Sequence, residues 1–227
     1  MAGPGGGGIV GAMSTDKLTA EEIAALGLAD WRPLQSKLHA RFRTGDFAAG
    51  LNLVDAIGAA AEEMNHHPDL DLRYTHLEVT LFSHDVGAKT QRDVDLARRI
   101  SELAADLGIP AEPAALTLVE PGLDTWDAAE VLPFWRAVYG VPAGERDEVI
   151  DPQSFLPTIW FQDTDRHETP RQRWHFDVWV PLDAAQDRID AAVAAGGVVV
   201  DESEAPSFVV LADPQGNRVC ICTHSGR

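Results

Sequence analysis

Glu62-Glu63-Met64-Asn65-His66-His67-Pro68 is the stretch on which the reading of this chain turns. Two adjacent histidines are stopped by a proline, and a third, His84, follows at the end of the next alternating segment. Histidine has the side-chain pKa nearest neutrality, so such a cluster suits proton transfer at pH 7. The same nitrogens are metal ligands, and a solvated turn carrying polar histidines is the third reading. At this point all three stand.

Upstream of the pair, Asp46 to Met64 reads as a helix. Phe47, Leu51, Val54, Ile57 and Ala61 recur at three- and four-residue spacing and form its expected apolar stripe. Pro68 forbids continuation, so the helix stops near Asn65 and presents the histidines at its C-terminus. The negative end of the helix dipole there favours a protonated imidazole. Downstream, Tyr74 to His84 alternates: Leu77, Val79 and Leu81 face helices, while His76, Glu78, Thr80, Phe82 and His84 face the open side of a sheet. Thr90 is placed to cap a second helix through Leu107, striped by Val94, Ala97, Ile100, Leu103 and Ala104. Before all of this, Thr19 and Glu22 have capping-box spacing for a short helix. Trp31 to Thr44 alternates as a hairpin turned near Pro33.

Gly108-Ile109-Pro110-Ala111-Glu112-Pro113 reads as a linker. The expected division is a glycine-rich tail at 1–17, a first domain at 18–108, a linker at 109–113 and a second domain at 114–227. In the second domain a strand–helix–strands unit occurs twice, with first strands at Leu116 to Glu120 and His175 to Val180 and helices at 127–139 and 183–195. Self-similarity on that scale signals a duplicated fold.

Composition excludes several classes. The formal charge of −18, from 18 basic and 36 acidic residues, argues against a nucleic-acid partner, which needs a concentrated cationic face. No apolar run approaches the roughly 20 residues that cross a bilayer, so no membrane partner is expected. The two cysteines, Cys220 and Cys222, sit on one strand face and are poorly placed to pair, consistent with a reducing cytoplasm.

The order Glu62-x-x-Asn65-His66-His67-Pro68, Tyr74, Leu77-x-Val79-x-Leu81-x-Ser83-His84 and Gln91-Arg92-Asp93 resembles the pterin-4a-carbinolamine dehydratases from about Leu18 to Leu107. The resemblance implies an α+β fold, an antiparallel sheet with helices on one face and a pocket by the His-His-Pro turn. It implies dehydration of 4a-hydroxytetrahydrobiopterin to the quinonoid dihydropterin, in tetrahydropterin recycling, with no cofactor and no metal. His67 is then the main acid/base, with His66 and His84 assisting. Glu62, Asn65, Pro68, Ser83, Arg92 and Asp93 fall at family positions near a small-molecule pterin substrate, although Arg92 and Asp93 also read as a first-turn pair. Asn65 stands where some members carry Asp. The family resemblance also implies a homo-oligomer, dimer or tetramer.

The second half is similar to glyoxalase-like domains of the vicinal oxygen chelate superfamily, a duplicated βαβββ fold. The matching residues are Phe134-Trp135-Arg136-x-Val138-Tyr139-Gly140, Arg173-Trp174-His175-x-Asp177 and Asp213-Pro214-x-Gly216-Asn217-Arg218. Members that hold a divalent metal place a carboxylate on the last strand. Cys220 occupies that position, so no metal is expected, although His175 and Glu120 are of the right type. The tryptophans of this half, Trp126, Trp135, Trp160, Trp174 and Trp179, suit either core or an aromatic cavity. Two other functions remain from these residues: a non-catalytic binding or oligomerising protein, and a metal-dependent lyase or dioxygenase centred on the second half.

Overall fold

The computed structural model describes residues 16–139, 141–142, 147–152, 156–166, 174–194, 196–212 and 218–226, with the backbone alone for 133, 134 and 137–139. The glycine-rich tail before 16, the motif residues Phe134, Val138, Tyr139, Gly140, Arg173 and 213–217, and His167 and Glu168 lie outside the described side chains. The chain divides into two compact units at Glu112/Pro113.

The first unit opens with α1 (Ala20–Ala25), whose capping box forms as the spacing predicts. Glu22 N donates to Thr19 Oγ1, and Thr19 N donates to Glu22 Oε2. β1 (Trp31–Leu34) and β2 (Lys37–Arg43) make the hairpin, turning through Gln35 at φ 51°. α2 (Phe47–Met64) follows its N-cap Asp46, then β3 (Asp69–Arg73), β4 (His76–Leu81) and α3 (Gln91–Asp106), which starts at Thr90 as expected. The strands form one antiparallel sheet in the order β1-β2-β4-β3. Leu38, Ala40 and Phe42 of β2 and Leu77, Val79 and Leu81 of β4 meet Leu53, Ile57, Val94, Ala97 and Ile100 of the helices in one core. Burying side chains of this size stabilises by about 1.5–3 kcal/mol each.

Three expectations shift. The buried face of α2 is Gly50, Leu53, Ile57, Ala60 and Ala61, while Phe47 and Leu51 are exposed. Val54, Ile57 and Ala61 face the core as the periodicity predicts, and the stripe goes wrong only over the first turns, because this alanine-rich helix carries apolar side chains almost all round. The close approach decides the face: a Cβ on Gly50 would overlap the Leu72 side chain of β3. Strand β3, too short for a periodicity signal beside Pro68, supplies that contact, and Tyr74 lies in the β3–β4 turn instead of on a strand. Residues 109–112, expected as linker, belong to the first unit. Gly108, at φ 69°, donates to Ala105 O and Ile109 N donates to Ala104 O, the paired bonds of a Schellman ending. Ile109 thereby enters the core, and Ala111 bridges to Phe42 beside β2.

The second unit contains β5 (Leu118–Thr125), α4 (Ala128–Tyr139), β6 (Trp160–Asp163), β7 (Trp174–Trp179), α5 (Leu182–Ala194), β8 (Val198–Asp201), β9 (Phe208–Ala212) and β10 (Arg218–Cys222). Its sheet order is β6-β5-β7-β10-β9-β8. β5 runs parallel to β6 and β7 parallel to β10, while β5 and β7 meet antiparallel. A strand–helix start and a parallel pairing thus occur in both halves, but among the described residues only the second, β7-α5-β8-β9-β10, has the full βαβββ order, while the first shows β5, α4, β6 and a bridge between Val149 and Ile159. One face packs Val180, Leu211 and Ile221 against Ala185 and Ile189 of α5. By register the other face carries Glu120, Gly122 and Asp124 of β5, His175, Asp177 and Trp179 of β7, and Cys220 and Cys222 of β10. Among the described residues no helix is long and apolar enough to cross a membrane.

Candidate active site

The end of α2 builds the histidine turn. Asn65 adopts the left-handed conformation, φ 47° and ψ 43°, with its N–H on Glu62 O, and His66 N donates to Ala61 O. That is again a Schellman ending, and asparagine is one of the few residues that tolerates this backbone. Asn65 therefore shapes the turn through its backbone. Pro68 then sends the chain directly into β3.

His66 is turned inward, 7 % exposed, and its Nε2 lies 2.8 Å from Asp93 Oδ1. Asp93 is fully buried at the first turn of α3. Its Oδ2 accepts from Thr90 N at 2.7 Å and from Ser83 Oγ at 2.8 Å, and Ser83 Oγ is 2.8 Å from Thr90 Oγ1. Burial, the largest single effect, pushes the Asp93 carboxyl up, but the bonds from His66, the Thr90 amide and Ser83 together hold it below the usual carboxylate range. Asp93 is therefore ionised and accepts only. His66 Nε2 must carry the hydrogen, so that Nδ1 holds the lone pair whenever the ring is neutral. One carboxylate thus ties together the ends of α2 and β4 and the start of α3.

The other predicted residues stand outside this buried cluster. His67 is exposed, with Nε2 3.1 Å from Glu62 Oε1, a contact between residues five apart around the helix end. His84 is exposed and lies edge-on to Phe82, ring centroids 5.3 Å apart. It follows Ser83 in a tight loop where Ser83 N donates to Ala88 O and Gly87 N to Ser83 O. Arg92 Nη2 donates to Asp85 Oδ1 at 2.6 Å and so clasps that loop, holding the Asp85 carboxyl down. The structure thus joins His66, Ser83 and Asp93, and pairs His67 with Glu62 and Arg92 with Asp85. Sequence reading placed Thr90 only as a helix cap. Its bonds to both Ser83 and Asp93 make it part of the site, and the capping-box spacing Thr90-x-x-Asp93 was the available signal.

Residues 16–103 match the family described as Pterin 4 alpha carbinolamine dehydratase. A protein of Nocardia farcinica, provisionally named a pterin-4-alpha-carbinolamine dehydratase, is 40 % identical over 94 residues, which cover 99 % of that protein and 40 % of this chain. The chain belongs to the pterin-4-alpha-carbinolamine dehydratase family. A similarly named protein of Natronomonas pharaonis is 38 % identical over 90 residues, 98 % of its length and again 40 % of this chain. The crystal structure of a transcriptional coactivator/pterin dehydratase from Brucella melitensis aligns with 39 % of this chain and 99 % of its own, at 26 % identity and a TM-score of 0.37. These relatives correspond in length to the first unit. Residues 122–222 match a Glyoxalase-like domain, so this family member carries a second domain of that kind.

Proposed function

We propose that the first unit is a hydro-lyase that removes water from a 4a-hydroxytetrahydropterin and yields the quinonoid dihydropterin. The observation that carries this reading is His66 held through Nε2 by the buried Asp93, directly before the exposed His67 that Glu62 orients. In the reaction the C4a–O bond breaks, a proton joins the leaving hydroxyl to make water, N5 loses its proton, and a C4a=N5 double bond forms. No electron leaves or enters the substrate. The elimination needs one acid and one base of near-neutral pKa, which two histidines supply. His67, exposed and oriented by Glu62, is the main acid/base group and protonates the hydroxyl. His66 takes the N5 proton through Nδ1, and the excess proton returns to His67 through solvent. His84, on the loop clasped by Arg92, orients the ring.

The test is the rate of dehydration of a 4a-hydroxytetrahydropterin by purified protein in the presence of a chelator. Acceleration is expected, with His67→Ala slower by about 10²-fold or more. A wild-type rate equal to buffer, or a His67→Ala protein as fast as wild type, overturns the reading.

A further inference from the structure

We propose that the glyoxalase-like domain binds one zinc ion, or a divalent ion of similar softness, through His175, Asp177 and Cys220. The sequence argued against a metal because a cysteine occupies the last-strand position where a carboxylate is needed. The fold brings a carboxylate in from the neighbouring strand. Asp177 lies in register opposite Cys220, and His175 is two residues before it on the same face of β7. One ligand atom from each of the three lies within 4.8 Å of the others. Tetrahedral zinc with bonds of about 2.0–2.3 Å needs ligand atoms roughly 3.3–3.8 Å apart. The widest allowed gap therefore has to close by about 1 Å when an ion enters.

A second observation concerns Asp177 itself. It is 2 % exposed, and among the described residues its one ionic partner is His175, with Nδ1 at 3.5 Å from Oδ1. A carboxylate withdrawn from water is stabilised by positive charge placed beside it. A cation between Asp177, His175 and the Cys220 thiolate would compensate it.

The imidazole is also set for coordination. A Cβ on Gly122 would lie 2.6 Å from His175 Cε1 and 2.8 Å from Trp160 Cε2, so the ring rests over bare backbone. Trp160 packs edge-on at 4.8 Å and fixes its plane. With Nδ1 toward Asp177, Nε2 faces Asp124 Oδ1 at 3.7 Å. An outer carboxylate behind the distal nitrogen is the usual arrangement around a metal-ligating histidine. Nitrogen, oxygen and thiolate sulfur together suit zinc, whereas magnesium and calcium take oxygen sets. Three protein ligands leave the fourth position for water or a small ligand with a donor atom.

The experiment is calorimetric titration of Zn²⁺ into the full chain stripped with chelator, paired with Co²⁺ as a spectroscopic probe. One zinc per chain is expected, undisturbed by excess Mg²⁺. Asp177→Asn and Cys220→Ser, with unchanged circular dichroism, should each weaken binding at least about tenfold. Cobalt in the wild type should give a thiolate charge-transfer band in the near ultraviolet that Cys220→Ser lacks. No uptake at micromolar zinc, displacement by Mg²⁺, or unchanged affinity in both variants overturns the proposal. A wild-type cobalt spectrum without the thiolate band overturns it even where the variants fail to fold.

Discussion

Asp93 is fully buried, with Oδ1 on His66 and Oδ2 on Thr90 and Ser83, so its carboxylate is withdrawn from any ligand. The sequence placed Arg92 and Asp93 either near substrate or as a first-turn pair; Asp93 bonds to His66 and Arg92 to Asp85, and in the proposed reaction Asp93 is a positioning residue. The substitution Asp93→Asn separates these roles. If the amide oxygen keeps the bonds from Thr90 and Ser83, the amide nitrogen faces His66 Nε2, which must then accept. The imidazole proton moves to Nδ1 and the lone pair assigned to the N5 proton disappears. Dehydration should slow by at least about tenfold, at the lower edge of what general acid–base catalysis contributes. Nitrogen-15 shifts of His66 should report the reversed tautomer. Wild-type activity in the variant, with that tautomer reversed, would remove His66 Nδ1 from the mechanism. At Gly122 the argument is steric: Gly122→Ala should push the His175 ring off the sheet and weaken zinc binding, while dehydration by the first unit stays unchanged.

On strand β2, His39 is buried beside Lys37 and Lys89, with Nδ1 3.2 Å from Thr80 Oγ1. Burial first, then the two lysines, lowers its pKa to about 3. The unfolded chain binds a proton on this residue near pH 6.5, the ordinary value, and the folded chain does not. Its contribution to stability is complete above pH 6.5 and is lost as the pH falls toward 3. The slope is about 1.4 kcal/mol per pH unit, so between pH 6.5 and 5 the wild type should lose about 2 kcal/mol more than His39→Gln. Urea unfolding at the two pH values measures this, and parallel losses in both proteins would sink it. Strand alternation puts His39 on the face opposite Leu38, Ala40 and Phe42, but alternation says nothing of what lies over that face. The same limit explains α2: its existence, N-cap and C-terminal stop were legible, whereas the face it buries depends on where β3 passes Gly50. The histidine turn was legible because Pro68 and Asn65 are local signals. The Asp93 cluster was not, since it joins residues 27 positions apart in sequence.

At the scale of the molecule, two folds follow one another along one chain, and residues 109–112 show to which they belong. Gly108-Ile109 looks like a breaker followed by a linker, but it is also the pattern of a helix ending with an apolar residue after the glycine. Ile109 is 8 % exposed within the first core. Arg43 N donates to Pro110 O at 2.9 Å and Glu112 N to Arg41 O at 2.7 Å, so the segment continues the edge of the sheet beyond β1. Glu112 also pairs with Arg43 at 3.0 Å and Arg41 at 3.7 Å, solvent-reached contacts worth little by themselves although Arg41 and Glu112 are half-buried. The weight falls on Ile109, whose burial contributes about 1.5–3 kcal/mol, and on the two backbone bonds. A first unit ending at Glu112 should therefore be more stable than one ending at Gly108 by at least about 2 kcal/mol. Urea unfolding of the two fragments should show the longer one melting at higher denaturant with nearly the same slope. Restoring only an isoleucine after Gly108 should recover the larger part of the difference, because core burial outweighs the edge pairing. Equal midpoints for the fragments ending at 108 and 112 would return these residues to the role of a linker.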